Sequence, residues 1–286
     1  MLVVQVFRAA ALVVGAWLAM LSPLVALAQP VSYSFSPVNQ YGIALTAGYW
    51  NPIIAYVSEK SGVKLNLKIG RTSADTTSYV LAREVEFIFS NHLFSPERDA
   101  LGWKVFGRRQ MPPLYAQMVV PADSPITDLT QLKGQEVAFA GPEAFLIYKV
   151  NYANLLARNI DVKVVFAGNA DAAFAQMFSG KVVAAGGQSQ LVEGYARREN
   201  RKFRVLWTSE AFQDLALMAS SKVPERDLKA VSSAFFEMSR DPRGRDILHQ
   251  AAKEVGLPMD AYFVPASAAD YAAYRRFFQT APASLH

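Results

Sequence analysis

DLTQLKGQEVAFAGP, residues 128–142, is the stretch on which the fold turns. A turn cluster at Asp123-Ser124-Pro125 closes the chain before it, and the segment feeds an apolar strand at 136–140. A helix over 143–159, a strand at 162–166, a helix over 170–179 ending at Gly180 and a strand at 182–185 follow. Short apolar strands alternating with helices predict parallel strands joined by right-handed crossovers, an open, doubly wound α/β sheet. Residues 203–208 add a strand that leads the chain out again.

The same alternation extends outward. VSYSFSP (31–37) has period two, 49–58 reads as a helix ending near Ser61-Gly62, and 63–69 is a strand with Val63, Leu65, Leu67 and Ile69 on one face. A short helix at 76–82 precedes the apolar strand VEFIF (85–89), which runs into Ser90-Asn91-His92; 105–108 and 115–120 read as two more strands. Residues 224–257 are helical, with a break at Asp241-Pro242. The chain shows no internal repeat and no low-complexity linker.

With 286 residues, 52% hydrophobic and 19% charged, the chain can bury a core and exceeds what one core usually holds, so two lobes are expected. The absence of Cys excludes disulfide scaffolds, zinc–thiolate sites, iron–sulfur clusters and thiol nucleophiles, and no cofactor or metal is expected. The net charge of +5 is not gathered into a long basic run; Arg108-Arg109 and the cluster from Arg197-Arg198 through Lys202-Arg204 are the densest, and a solvated helix end explains them better than nucleic acid does.

The N-terminus carries one positive charge, Arg8, then an apolar run at 9–20, then Ser22-Pro23 and Ala26-Leu27-Ala28. Charge, apolar stretch and small-residue site in that order predict a secretory signal peptide over 1–28, cleaved after Ala28, and export to a periplasm. No later segment approaches about 18 uninterrupted apolar residues.

Asp128-Leu129 with Leu132-Lys133-Gly134-Gln135-Glu136-Val137-Ala138-Phe139 and Gly141-Pro142 resembles the D-L-K-G-K-x-V-A-F…P signature of type 2 periplasmic solute-binding proteins, in particular the phosphate/phosphite/phosphonate-binding family of ABC importers. Trp50-Asn51-Pro52-Ile53-Ile54, Gly62-Val63, Glu84-Val85-Glu86-Phe87, Gly180-Lys181-Val182-Val183-Ala184 and Leu206-Trp207-Thr208-Ser209 resemble further motifs of that family in the same order. The resemblance implies two α/β lobes joined by two crossover strands: lobe one at 31–118 and 217–286, lobe two at 119–206, with 207–216 crossing back. It implies a small-molecule ligand between the lobes, hinge closure on binding, an inner-membrane ABC permease as partner and a monomeric chain.

Ligands of open α/β sheets sit beyond the carboxyl ends of strands, near helix N-termini. That rule selects Thr72 and Ser73 after one strand and Ser90, Asn91 and His92 after another, with Tyr49 and Trp50 as an aromatic wall or, alternatively, a packing pair. His92 can also be read as a turn residue satisfied by backbone groups. In lobe two the resemblance implies a Ser-Thr-Ser-Gly cradle after the proline, a histidine after the next strand and acidic or amide groups beyond it. Here Pro142 is followed by Glu143-Ala144-Phe145, Asn169 stands at the histidine position, and Gln188 and Gln190 stand at the acidic or amide positions, so the amine-binding carboxylate is lost. Glu143 either touches ligand or meets a helix dipole as a first-turn carboxylate. These departures predict that the ligand is not a simple phosphonate.

The function expected is capture of a small polar or oxyanion-type solute for an ABC importer. One alternative is a periplasmic sensor that presents its bound state to a histidine kinase or chemoreceptor; another is an enzyme of the same fold. The chain lacks the Gly-x-Ser-x-Gly, His-Glu-x-x-His and Gly-x-x-x-x-Gly-Lys-Ser/Thr motifs, which argues against catalysis.

Overall fold

The computed structural model describes residues 32–286 apart from Ser73. The signal segment expected at 1–28 and the candidate ligand residue Ser73 therefore lie outside the described residues. No helix among the described residues is long and apolar enough to cross a membrane.

The chain begins β1 (Ser32–Pro37), α1 (Ile43–Ser61), β2 (Lys64–Leu67), α2 (Asp75–Leu81), β3 (Phe87–Ser90), α3 (Pro96–Asp99) and β4 (Lys104–Arg109). It then enters β5 (Leu114–Pro121), β6 (Glu136–Phe139), α4 (Asn151–Ala157), β7 (Lys163–Phe166), α5 (Ala170–Phe178), β8 (Ala184–Gln188), α6 (Ser189–Arg198) and β9 (Phe203–Phe212). It returns through β10 (Ala216–Ala219), α7 (Glu225–Glu237), α8 (Pro242–Val255), β11 (Phe263–Pro265) and α9 (Ala272–Thr280).

Two sheets result, with strand orders β11-β4-β10-β3-β1-β2 and β7-β6-β8-β5-β9. The β1–β2, β1–β3, β6–β7 and β6–β8 pairs are parallel, as the alternating pattern predicts. β10 runs antiparallel to its neighbours β3 and β4, and β5 antiparallel to its neighbours β8 and β9, because each of these two strands enters its sheet from the other sheet rather than through a βαβ crossover; β11 also pairs antiparallel, with β4. The chain passes between sheets at 110–113 and again at 213–215. The first passage lies earlier than the expected boundary near Met118, because 114–121 is one continuous strand paired to both β8 and β9.

Local chemistry explains where elements stop. α1 ends at Gly62, whose φ of 70° lets its N–H reach the Ser58 carbonyl. α8 starts at Asp241, whose carboxylate accepts from the Gly244 N–H, with Pro242 at the first helical position. In lobe one the core gathers on Trp50, whose ring lies 4.9 Å from Phe35, 5.1 Å from Phe89 and 6.0 Å from Phe263.

The single helix expected over 143–159 is instead two pieces. Residues 145–150 form a π-helical turn, in which the Lys149 N–H reaches the Ala144 carbonyl, and only then does α4 begin. The wide turn strands carbonyls, and the buried amide of Asn151 collects them: its Nδ2 donates to Leu146, Ile147 and, across to β8, Gly187.

Candidate ligand-binding site

Both sheets point strand carboxyl ends at one place, and a cavity lies there. Val38, Asn39 and Gln40 reach it beyond β1, Asn91 and His92 beyond β3. From the other lobe come Ala140 beyond β6, the start of the π-turn from Ala144 to Ile147, and Gln188 with Leu191 at the β8–α6 junction; Leu215 closes it from the second passage. The enclosed volume is only about 30 Å³, room for about one water molecule. Phe145 accounts for the tightness. Its ring lies 4.5 Å from Tyr274, 5.0 Å from Phe277 and 5.5 Å from Phe212, so a lobe-two side chain is seated in an aromatic nest largely supplied by α9 of lobe one.

His92 is 3% exposed; its Nδ1 pairs with Thr77 Oγ1 at 3.0 Å, and its backbone N–H donates to Ser90 Oγ at 3.1 Å. Burial pushes its pKa down to about 3, against the opposing pull of Glu143, so the ring is neutral at physiological pH. Gln188 is equally buried. Its Oε1 caps α6 by accepting from the Leu191 N–H at 2.9 Å, while its Nε2 has no hydrogen-bond partner among the described residues. Asn39 is spent on architecture: it donates to the Gly70 and Arg71 carbonyls and accepts from Thr46 Oγ1.

The charges nearby are paired within the protein. Arg109, the last residue of β4, meets Asp214 of the second passage through Nε–Oδ2 at 2.6 Å and Nη2–Oδ1 at 3.2 Å, both side chains fully buried. The Arg109 guanidinium lies 4.8 Å over the Phe89 ring. Burial disfavours its charge, but the Asp214 carboxylate outweighs that and holds Arg109 protonated well above its usual range. Glu143 takes a bidentate pair from Arg98, with Nη2–Oε1 at 2.9 Å, and Arg98 also donates to the His92 carbonyl. Burial raises the Glu143 carboxyl, yet Arg98 overrides it and the net shift is downward.

Of the residues selected from sequence, the structure brings Asn91, His92 and Gln188 to the cavity, with Ser90 directly behind as a hydrogen-bond acceptor. Tyr49 and Trp50 are buried on α1, where Trp50 packs in the lobe-one core and Tyr49 stands 5.8 Å from Arg109; neither lines the cavity. Thr72 is exposed, its N–H and Oγ1 both bonded to the Asp75 carboxylate. Asn169 caps α5 by accepting from the Ala172 N–H. Gln190 donates to the Pro112 carbonyl of the first passage, leaving its Oε1 unpartnered. Glu143 is not in a helical first turn, so the dipole role does not apply; it is an interlobe ion-pair partner. The reading missed Asn39 and Gln40, although the strand-end rule that found Asn91 and His92 applies equally to β1, and it missed Arg109, Asp214 and Arg98, whose pairing no local pattern announces.

Residues 44–271 match the family model described as ABC transporter, phosphonate, periplasmic substrate-binding protein. The chain belongs to this family. It is a family of substrate-binding proteins rather than enzymes, and membership implies a small-molecule ligand and a membrane permease as partner. Comparison with curated protein sequences finds no match. Among solved structures, the chain is similar to a binding protein component of an ABC phosphonate transporter from Pseudomonas aeruginosa, with a TM-score of 0.76 and 14% identity over 87% of each chain. It is also similar to PhnD1 from Prochlorococcus marinus, solved with methylphosphonate (TM-score 0.72, 14% identity, 87% of this chain and 97% of that one). A third, XAC2383 from Xanthomonas citri, has a TM-score of 0.63 at 14% identity over 89% of this chain and 97% of that one. These likenesses establish the two-lobe periplasmic binding-protein fold, and none of them points to a sensor.

Proposed function

We propose that this chain, freed of residues 1–28 by cleavage after Ala28, works in the periplasm as a monomer that captures its solute in the cavity between the two sheets and hands it to an inner-membrane permease. Lobe one is then 32–109 with 216–286, and lobe two 114–212. The observation that carries the reading is the Gln188 side chain: 3% exposed, at the cavity, with a donor that has no partner. A buried unpaired donor costs about 1–3 kcal/mol, a cost a ligand acceptor would remove. Asn91 and His92 face it from the other lobe, so one ligand can be gripped from both sides and its capture can drive closure. Since the cavity has room for only about one water molecule, the lobes must part to admit a ligand.

The test is a thermal-shift panel of phosphate, phosphite, alkylphosphonates, amino acids and neutral amides, followed by calorimetry on any compound that stabilises the protein. Asn91→Ala and Gln188→Ala are expected each to weaken binding by about 1–3 kcal/mol. A ligand bound equally well by both variants would place the site elsewhere.

A further inference from the structure

The charge inventory around the cavity is lopsided: no Asp, Glu, Lys or Arg lines it. The polar lining consists of Asn39, Gln40, Asn91, His92 and Gln188, four carboxamides and an imidazole that burial keeps neutral. The ionic groups nearest it are already committed. Asp214 is held by Arg109 through two hydrogen bonds, Glu143 by Arg98 through two, and Lys149 donates to the His286 carbonyl at 3.0 Å. A phosphonate or a carboxylate entering this space would lose its hydration and meet no free cation; an ammonium would meet no free carboxylate. Releasing Asp214 or Arg109 to serve a ligand would leave the other charge buried alone. The remaining walls are apolar, supplied by Phe145, Leu146, Leu191 and Leu215 among others.

We infer that the cleft of this protein takes an uncharged solute with an apolar body and at least one carbonyl or hydroxyl oxygen, which accepts from Gln188 Nε2, rather than an oxyanion or an amine. The inference rests on the proposed capture of ligand in this cavity. It sets this chain apart from PhnD1, solved in complex with methylphosphonate: one fold serves different ligand chemistry, the difference residing in side chains rather than in architecture.

The probes are nicotinamide and uracil as neutral, oxygen-bearing molecules, and phosphate, methylphosphonate and 2-aminoethylphosphonate as charged ones, each tested by calorimetry and thermal shift at 50 and 500 mM NaCl. The expected result is binding of a neutral probe, unchanged within about twofold by salt because no ionic attraction is screened, and none of the charged probes. Gln188→Ala should weaken that binding at least tenfold, and so should Gln188→Glu, which keeps an oxygen to cap Leu191 but loses the donor. Binding of a charged probe that is weakened in Gln188→Ala and Asn91→Ala would overturn the neutral-solute inference while leaving the cavity as the binding site. Binding insensitive to both variants, or no binding of any probe, would overturn the two together.

Discussion

At the scale of single residues, burial has set the protonation of the site. His92 has its pKa lowered from 6.5 to about 3, so between those values the unfolded chain binds a proton that the folded one refuses. The contribution is therefore fully present above pH 6.5 and is lost as pH falls toward 3. From pH 8 to pH 5 it amounts to about 2 kcal/mol. Urea unfolding at those two pH values should show wild type losing about that much more stability than His92→Gln; equal losses would mean that His92 is hydrated and charged in the folded protein. The Arg109–Asp214 pair belongs to the same scale. Its partners are 105 positions apart in sequence and leave opposite passages between the sheets, so it fastens the two hinge strands side by side. Tyr271 and Tyr274 hold the second of those strands as well, donating to the Asp214 and Gln213 carbonyls.

At the scale of elements, the π-turn is what distinguishes lobe two. Where the family resemblance implies a hydroxyl-bearing helix start, the chain supplies Phe145-Leu146-Ile147, and the turn widens so that Phe145 reaches the α9 nest while the backbone presses against β8. Gly186 permits that approach, since a Cβ there would collide with the Ile147 carbonyl oxygen. The carbonyls released by the widening depend on one side chain, Asn151, fully buried and bonded to two of them, Leu146 and Ile147, as well as to the Gly187 carbonyl of β8. Asn151→Ala should destabilise the protein by about 2–4 kcal/mol, since it both strands buried acceptors and opens a void. Chemical denaturation measures it, and a loss within 0.5 kcal/mol, the range of an ordinary surface change, would show that water satisfies the turn.

At the scale of the whole molecule, the lobes are held shut by contacts of their own. Arg98 of lobe one grips Glu143 of lobe two, Phe145 fills its nest, and Arg197 and Arg198 of α6 donate to the Gly256 and Val255 carbonyls at the end of α8. These clasps join the lobes through protein groups alone, so the balance between open and closed depends on them. The Glu143 carboxyl sits below its ordinary value of 4.5, so its ion pair is intact above that pH and is lost as pH falls through the lowered value. Glu143→Gln should enlarge the radius of gyration measured by small-angle scattering at pH 7, and wild type should approach the variant's value as the pH drops below 4.5. An identical radius for both proteins at pH 7 would show that the aromatic nest alone keeps the lobes together.

The sequence by itself determined the two-lobe α/β fold and the loss of the hydroxyl cradle. Strand and helix periods are properties of neighbouring residues, and the order of six short motifs restricts topology further. Strand-end logic likewise pointed to Asn91 and His92, because the carboxyl end of a buried strand is a local feature, while Gln188 came from the family resemblance. What only the tertiary structure decided is which polar groups remain free. Tyr49 and Trp50 have the sequence signature of a cleft wall but face a core that other elements complete. Glu143, read as either a ligand contact or a first-turn carboxylate, is claimed by Arg98, 45 positions earlier, and Arg109 is paired with Asp214 of the second passage, 105 positions later. A side chain's availability depends on partners brought close by folding, and at such separations no local pattern records them.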